Sequence, residues 1–187
     1  LNPPDAIERL TRGHPRQIDL LEINGGDRWS AVAVGVGIDA QTVKRAERLG
    51  EEMLGRVAYV AAVVAELTQD IDTHLRLETD GESWEGDALL VQVANCPNHG
   101  GGFKIAPGAK IDDGLMDVVL VESTSRARAL ELIPIIYRGQ HLDLPEVRHR
   151  QAAEVTIARP GTGPVLIDGE VVERSALHIR IAPGHLR

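Results

Sequence analysis

Aromatic side chains are scarce: one Phe, two Tyr and two Trp make up 3% of 187 residues. The core must therefore be filled by Val, Ile, Leu and Ala, a β-branched set that favours strands. Cysteine is nearly absent, and the lone Cys96 excludes an internal disulfide and a Cys-rich zinc site. Basic residues are outnumbered, 20 Lys and Arg against 28 Asp and Glu, for a net charge of −8. Nucleic-acid binding and firm docking on anionic lipid both call for a basic footprint that this balance lacks. No apolar run approaches the roughly 18–20 residues of a transmembrane helix, and no signal peptide is visible. There is no H-E-x-x-H motif, no low-complexity tract and no solenoid repeat. The chain also lacks a start methionine and opens on Leu1-Asn2-Pro3-Pro4, which reads as a fragment or a processed product.

What is present is mostly strand. A short helix over 3–12 is capped by Asn2, with Pro3 at its first position. Ile18 to Ile23 and Trp29 to Val36 read as strands joined by the hairpin turn Asn24-Gly25-Gly26-Asp27. Helices follow over 40–49 and 52–69, the second with Leu54, Val57, Ala61, Val64 and Leu67 at helical spacing. His74 to Thr79 and Trp84 to Ala94 flank Asp80-Gly81-Glu82, and Leu115 to Glu122 is an almost unbroken apolar strand. An amphipathic helix over 125–138 contains Pro134, which predicts a kink or an early stop. Val147 to Ala158, Val165 to Ile167, Val171-Val172 and Leu177 to Ile181 complete the set. Short hairpins between successive strands imply antiparallel pairing. The expected fold is mainly β (α+β): a two-layer antiparallel β-sandwich with three or four helices.

Two glycine-rich stretches invite a binding role. Gly35-Val36-Gly37-Ile38-Asp39-Ala40 fits the G-x-G-x-x-A form of a dinucleotide turn. That fingerprint requires a parallel βαβ unit, whereas two helices intervene before the next strand. The competing reading is a tight strand-to-helix junction packed through small residues. Gly100-Gly101-Gly102-Phe103 can present amides to a phosphate, but no helix with Lys-Ser or Lys-Thr follows it, and a flexible loop explains it equally. His99 beside it reads as a solvated loop histidine and is the one histidine to watch.

The carboxylates carry the chemistry. Asp112, Asp113 and Asp117 lie within six residues around the Asp113-Gly114 turn, a spacing that suits a small Mg²⁺ or Ca²⁺ site or a metal-free acidic turn. Asp168-Gly169-Glu170 reads locally as a hairpin turn. The same tripeptide at Asp80-Gly81-Glu82 is an internal control that local pattern does not separate from it.

The ordered set is more specific than its parts. It comprises Val34-Gly35-Val36-Gly37-Ile38-Asp39-Ala40, Gly55-Arg56-Val57-Ala58-Tyr59, Val93-Ala94-Asn95 and Gly100 to Ala109. Asp112-Asp113-Gly114-Leu115-Met116-Asp117-Val118, Asp168-Gly169-Glu170 and Ile181 to Arg187 complete it. Together these resemble the second domain of the diacylglycerol kinase catalytic family, which also contains sphingosine kinases and bacterial phosphatidylglycerol kinases. The resemblance implies the second domain of the NAD kinase/diacylglycerol kinase-like fold. Residues 1–17 would connect to a missing N-terminal ATP-binding domain, and 18–187 would form the C-terminal β-sandwich.

That first domain carries G-G-D-G-T and P-x-G-T-x-N-D motifs, and neither occurs here. The fragment is therefore expected to be inactive alone, while the full-length enzyme would use ATP with Mg²⁺. The resemblance assigns Glu170 as proton acceptor, with Asp168 as the competing candidate. It assigns Asp113 and the main-chain oxygens of Lys110 and Leu115 to a structural Mg²⁺ or Ca²⁺ ion. Asp112 and Asp117 would shape the field there. It implies a lipid substrate at the membrane surface, a cytoplasmic protein that meets the membrane transiently, no nucleic acid, and room for a homodimer. The departure from the family lies at Cys96-Pro97-Asn98-His99, which leaves the acceptor lipid open. Two rival readings stand beside this one: a non-catalytic lipid- or metabolite-binding β domain, and a dinucleotide oxidoreductase built on residues 31–40. The apolar strand Leu115–Val121 and the helix face Leu130–Ile136 are candidates for an acyl groove or for plain core.

Overall fold

The structure, a computed structural model, describes residues 12–50, 55–67, 69 and 72–186. In chain order its elements are β1 (Ile18–Ile23), β2 (Arg28–Ser30), β3 (Ala33–Gly37), α1 (Ile38–Gly50), α2 (Gly55–Glu66), β4 (Thr73–Thr79) and β5 (Glu82–Ala94). A single 3-10 turn at Gly100–Gly102 precedes β6 (Met116–Glu122), α3 (Arg126–Arg138), β7 (Val147–Ala152), β8 (Glu154–Ile167) and β9 (Glu170–Leu186). The helix expected over 3–12 falls almost wholly outside the described residues.

All paired strands are antiparallel, in the order β2-β1-β9-β8-β3-β5-β6-β7, with β4 joining β5 and β8. Strands β3 and β4 share the same two neighbours. β3 links the C-terminal halves of β5 and β8, and β4 links their N-terminal halves. That ring folds the network into two layers. Leu21, Val34, Leu75, Val91, Leu120 and Ile157 fill the space between them. A second cluster, including Leu90, Val119, Val121 and Leu132, packs under the helices. β6 feeds both by simple alternation: Met116, Val118 and Leu120 point one way, Val119 and Val121 the other. This is the expected β-sandwich. The dinucleotide reading fails on it, because β3 lies antiparallel to both of its neighbours, β5 and β8.

Two expected strands are each broken in two, and an aspartate makes each break. Trp29–Val36 separates into β2 and β3, where the Asp168 carboxylate takes the intervening N–H groups. Val147–Ala158 separates into β7 and β8 at Ala153, whose N–H donates to Asp80 Oδ2 over 2.8 Å. Conversely, the short strands expected after residue 158 merge into β8 and β9. Arg159 folds over Gly163 there and donates to the Arg174 carbonyl, which bridges a register slip between Ala158 and Gly163.

Helix α3 runs unbroken through Pro134, from its Ser125 cap to Gly139 in the left-handed conformation at φ 73°. Pro134 removes the bond to the Leu130 carbonyl, and Leu130 lies on the exposed side where water can take that acceptor. The buried stripe of α2 is rotated from the expected one. Ala62 is buried in place of the expected Ala61, and Val64 is 41% exposed, while Leu67, just past the helix end, is buried as expected; Leu54 lies outside the described residues.

Candidate functional site

The β8–β9 turn is built on a backbone conformation that L-amino acids rarely adopt. Asp168 sits at φ 46°, in the left-handed region that Asp tolerates better than most. That conformation turns its carboxylate back over the gap between β2 and β3. Oδ1 accepts the Ser30 hydroxyl at 2.6 Å and the N–H groups of Val32 and Ala33 at 3.0 Å, and Oδ2 accepts Ala31 N–H at 2.7 Å. The Asp168 N–H in turn donates to the Ala33 carbonyl at 3.1 Å. Asp168 is thus a clasp. Two residues on, the side chain of Glu170 is 74% exposed and, among the described residues, meets only the guanidinium of Arg28, at 2.8 Å.

A pocket of about 280 Å³ opens beside the clasp, lined among others by Asp39, Tyr59, Gln92, His99 and Asp168. Behind it, a narrow apolar cavity of about 60 Å³ runs between α2, α3 and the sheet, past Val63, Leu90, Val121, Leu132 and Ile136. Asp39, Tyr59 and Ile105 belong to both. Asp39 is buried and accepts the Tyr59 hydroxyl at 2.7 Å. Burial raises its pKa, and the hydrogen bonds from Tyr59 and Gln92 oppose that shift. Burial and the neighbouring Asp39 likewise push the Tyr59 phenol upward, so it stays a donor.

The glycines of both motifs make room for this pair. A Cβ at Gly35 would collide with the Asp39 carboxylate, and one at Gly37, at φ 99°, with the Leu89 carbonyl. At Gly100 it would collide with the Tyr59 hydroxyl. Gly100-Gly101-Gly102 is therefore a tight turn, closed by Phe103 N–H on the His99 carbonyl at 3.0 Å, and not the expected flexible loop.

His99 also departs from expectation. Both its ring nitrogens are buried without a hydrogen-bond partner among the described residues. Burial lowers its pKa to about 4, against an opposing pull from Asp168. Burial and Asp168 together raise the Cys96 thiol.

Around Asp113 the organising residue is one that the sequence reading passed over. Asp19, 2% exposed, accepts Gly114 N–H and Gly184 N–H, each at 2.7 Å, one on each carboxylate oxygen. It thereby ties the Asp113-Gly114 turn to the Ile181–His185 segment. Asp113 itself accepts Leu115 N–H at 3.2 Å, Asp112 pairs with Arg16, and Asp117 turns inward to His149 at 2.7 Å. Among the described residues no three His, Cys, Asp or Glu side chains gather as a metal cluster. An ion here would draw on Asp113, main-chain oxygens and water, an all-oxygen set that fits Mg²⁺ or Ca²⁺. Asn95, fully buried, joins the two turns: its Nδ2 donates to the Asp19 carbonyl at 2.8 Å and to the Ala31 carbonyl at 3.0 Å. In the sequence Asn95 stands in the Val93-Ala94-Asn95 motif, directly after β5, but its burial and its partners come from the fold.

The control turn differs at its first residue, because Asp80, unlike Asp168, is outside the left-handed region. Asp80 caps Ala153, and Glu82, also 74% exposed, pairs with Arg150 at 2.7 Å. The neighbourhoods differ. Arg148, His149 and Arg150 stand beside Glu82, whereas Asp39, Tyr59 and His99 stand beside Asp168.

Comparison with known proteins identifies the fold. Residues 32–187 match the family described as the YegS C-terminal NAD kinase beta sandwich-like domain. The chain belongs to that family. A diacylglycerol kinase of Mycobacterium tuberculosis is 33% identical over 190 residues, covering 100% of this chain and 61% of the relative. A probable YegS-like lipid kinase of Stenotrophomonas maltophilia is 29% identical, covering 99% and 61%. The domain thus spans about three fifths of the length of these relatives. The crystal structure of a putative diacylglycerol kinase from Bacillus anthracis superposes with a TM-score of 0.71 at 20% identity, covering 97% of this chain and 58% of that one. That likeness shows the fold. Among the described residues no helix is long and apolar enough to cross a membrane.

Proposed function

We propose that this domain is the acceptor side of an ATP-dependent lipid kinase, with Glu170 as the general base. One observation carries the assignment: Asp168 spends its carboxylate on four donors, while Glu170 on the same turn stays exposed. A base needs an open lone pair. Asp168 holds the turn, Arg28 holds the Glu170 carboxylate, and the adjacent pocket seats the acceptor. As the lipid hydroxyl oxygen attacks the γ-phosphorus of ATP, its proton passes to a Glu170 carboxylate oxygen and the bond to the ADP oxygen breaks. A positioned base of this kind contributes roughly 10²–10⁴-fold. ATP with its Mg²⁺, held by the other domain of the parent enzyme, supplies the phosphoryl group and neutralises its charge.

The acyl chains would lie along the apolar cavity between α2 and α3. It is narrow, so a chain would enter as those helices part. Asp113 with the carbonyls of Lys110 and Leu115 would hold a structural ion. Such an ion would brace the turn that Asp19 and Asn95 connect to the clasp.

The test uses the full-length enzyme. Glu170→Gln should abolish ATP-dependent phosphorylation of a lipid hydroxyl with the melting temperature kept. Near-normal turnover in that variant would move the role to Asp168 or elsewhere.

A further inference from the structure

We propose that the flank of the sandwich beside β7 binds a fatty-acid carboxylate, and that Glu82 fills the place of its head group in the free protein. The site shares no lining residue with the pocket beside Asp168, and it does not depend on the lipid-kinase reading.

The first observation is the direction of two arginines. Strand β7 ends the strand order, so one of its edges has no neighbour among the described residues. Arg148 registers with Leu120 and Arg150 with Val118, and directly paired residues of antiparallel strands share a face. Leu120 and Val118 belong to the core between the layers, so both arginines stand on the inward side of an edge strand. Arg150 spans the opening there. Its Nη1 donates to Thr79 Oγ1 on β4 at 2.9 Å and meets Glu82 Oε2, at the start of β5, at 2.7 Å.

The second observation is the space beneath them. A cleft of about 470 Å³ opens between these strands, lined by Leu77, Trp84, Val118 and Leu120 as well as by Arg148 and Arg150. Apolar walls with a few converging polar groups, in a volume of roughly 300–1,000 Å³, are the usual form of a small-ligand site. Two cations over an apolar floor complement an anion with an alkyl chain.

The third is the head group that these cations already hold. Arg148 Nε donates to the Glu122 carboxylate at 2.5 Å, and Arg150 holds that of Glu82. Glu82 is 74% exposed, and an ion pair so open to water is weak. An entering carboxylate takes over the guanidinium, Glu82 turns to solvent, and the alkyl chain covers Trp84 and Leu120. The Asp80-Gly81-Glu82 turn thereby gains a role. Asp80 fixes it through Ala153 N–H, and Glu82 keeps the head position filled until a ligand arrives.

The experiment is calorimetric titration of the full-length protein with sodium decanoate below its micelle concentration. Binding should saturate at one decanoate per chain. Octanoate should bind about tenfold more weakly, because two buried methylenes are lost. Acetate should give no saturable heat. The double variant Arg148→Gln/Arg150→Gln should weaken decanoate binding about tenfold or more. Glu82→Gln, which removes the internal competitor, should tighten it about two- to fivefold. Decanoate bearing a terminal diazirine should crosslink wild-type protein at peptides that contain Trp84 or Leu120.

Absence of saturable binding overturns the site and leaves the arginines as guards of an edge strand. Unchanged affinity in the folded double variant overturns it too, as do crosslinks confined to the cavity between α2 and α3. Unchanged or weaker binding in Glu82→Gln overturns the role of Glu82. Tighter binding of decyl phosphate than of decanoate overturns the choice of a carboxylate head.

Discussion

The Tyr59 hydroxyl donates to Asp39 Oδ1 over 2.7 Å and ties α2 to the first turn of α1. The bond links residues from two motifs that looked independent in the sequence. It also has a pH signature. The folded-state pKa of Asp39 is raised by burial above the ordinary value of 3.8. A carboxyl shifted upward contributes stability that is fully present below 3.8 and is lost as pH rises through the folded pKa. Asp39→Asn keeps an acceptor for Tyr59 and removes the titration. In urea unfolding from pH 4 upward, wild type should therefore lose stability relative to Asp39→Asn as pH rises. Parallel pH curves for the two proteins would contradict the assignment.

Asp168 and Glu170 should separate in stability measurements before any assay of activity. Asp168→Ala strands a hydroxyl and three N–H groups. Some of these reach water, so a loss of about 1–3 kcal/mol is expected in chemical denaturation. Glu170→Gln changes an exposed side chain in a surface ion pair, and should stay within about 0.5 kcal/mol of wild type.

Gly35 should not tolerate a methyl group, because its Cβ would enter the space of the Asp39 carboxylate. Gly35→Ala is expected to cost about 1–3 kcal/mol as overpacking. Gly108 provides the comparison, since a Cβ there meets nothing within 4 Å. Gly108→Ala should leave the midpoint of thermal unfolding nearly unchanged.

The ion proposal predicts a ligand-dependent melt. A ligand that binds only the folded state at 100 times its Kd adds about 2.7 kcal/mol. Excess Mg²⁺ or Ca²⁺ should raise the melting temperature by several degrees, and Asp113→Ala should remove the rise. Asp19→Ala should lower the melting temperature with or without the ion, because it frees two N–H groups. An unchanged melt of the parent chain in both metals would remove the ion from the account.

Composition and pattern alone determined the class of the fold. Few aromatics, many β-branched residues and hairpin turns lead to an antiparallel sandwich, and every expected helix within the described residues is present. Pattern failed where a side chain distant in sequence interrupts a strand. Asp168 splits Trp29–Val36 and Asp80 splits Val147–Ala158, because hydrophobic runs do not reveal which backbone N–H a remote carboxylate will take.

The same limit governed the site. Asp80-Gly81-Glu82 and Asp168-Gly169-Glu170 are identical in sequence, yet Asp168 takes the left-handed conformation and gathers four donors, whereas Asp80 stays outside that conformation and accepts Ala153 N–H. The ordered motifs singled out the second, and the physical difference lies in its backbone and in the packing around it. Only tertiary structure brings Asp39, Tyr59 and His99 beside Asp168, and places Arg148, His149 and Arg150 beside Glu82. Asp19 and Asn95 were hidden for the same reason: a buried polar side chain takes its role from the donors and acceptors that the fold brings to it.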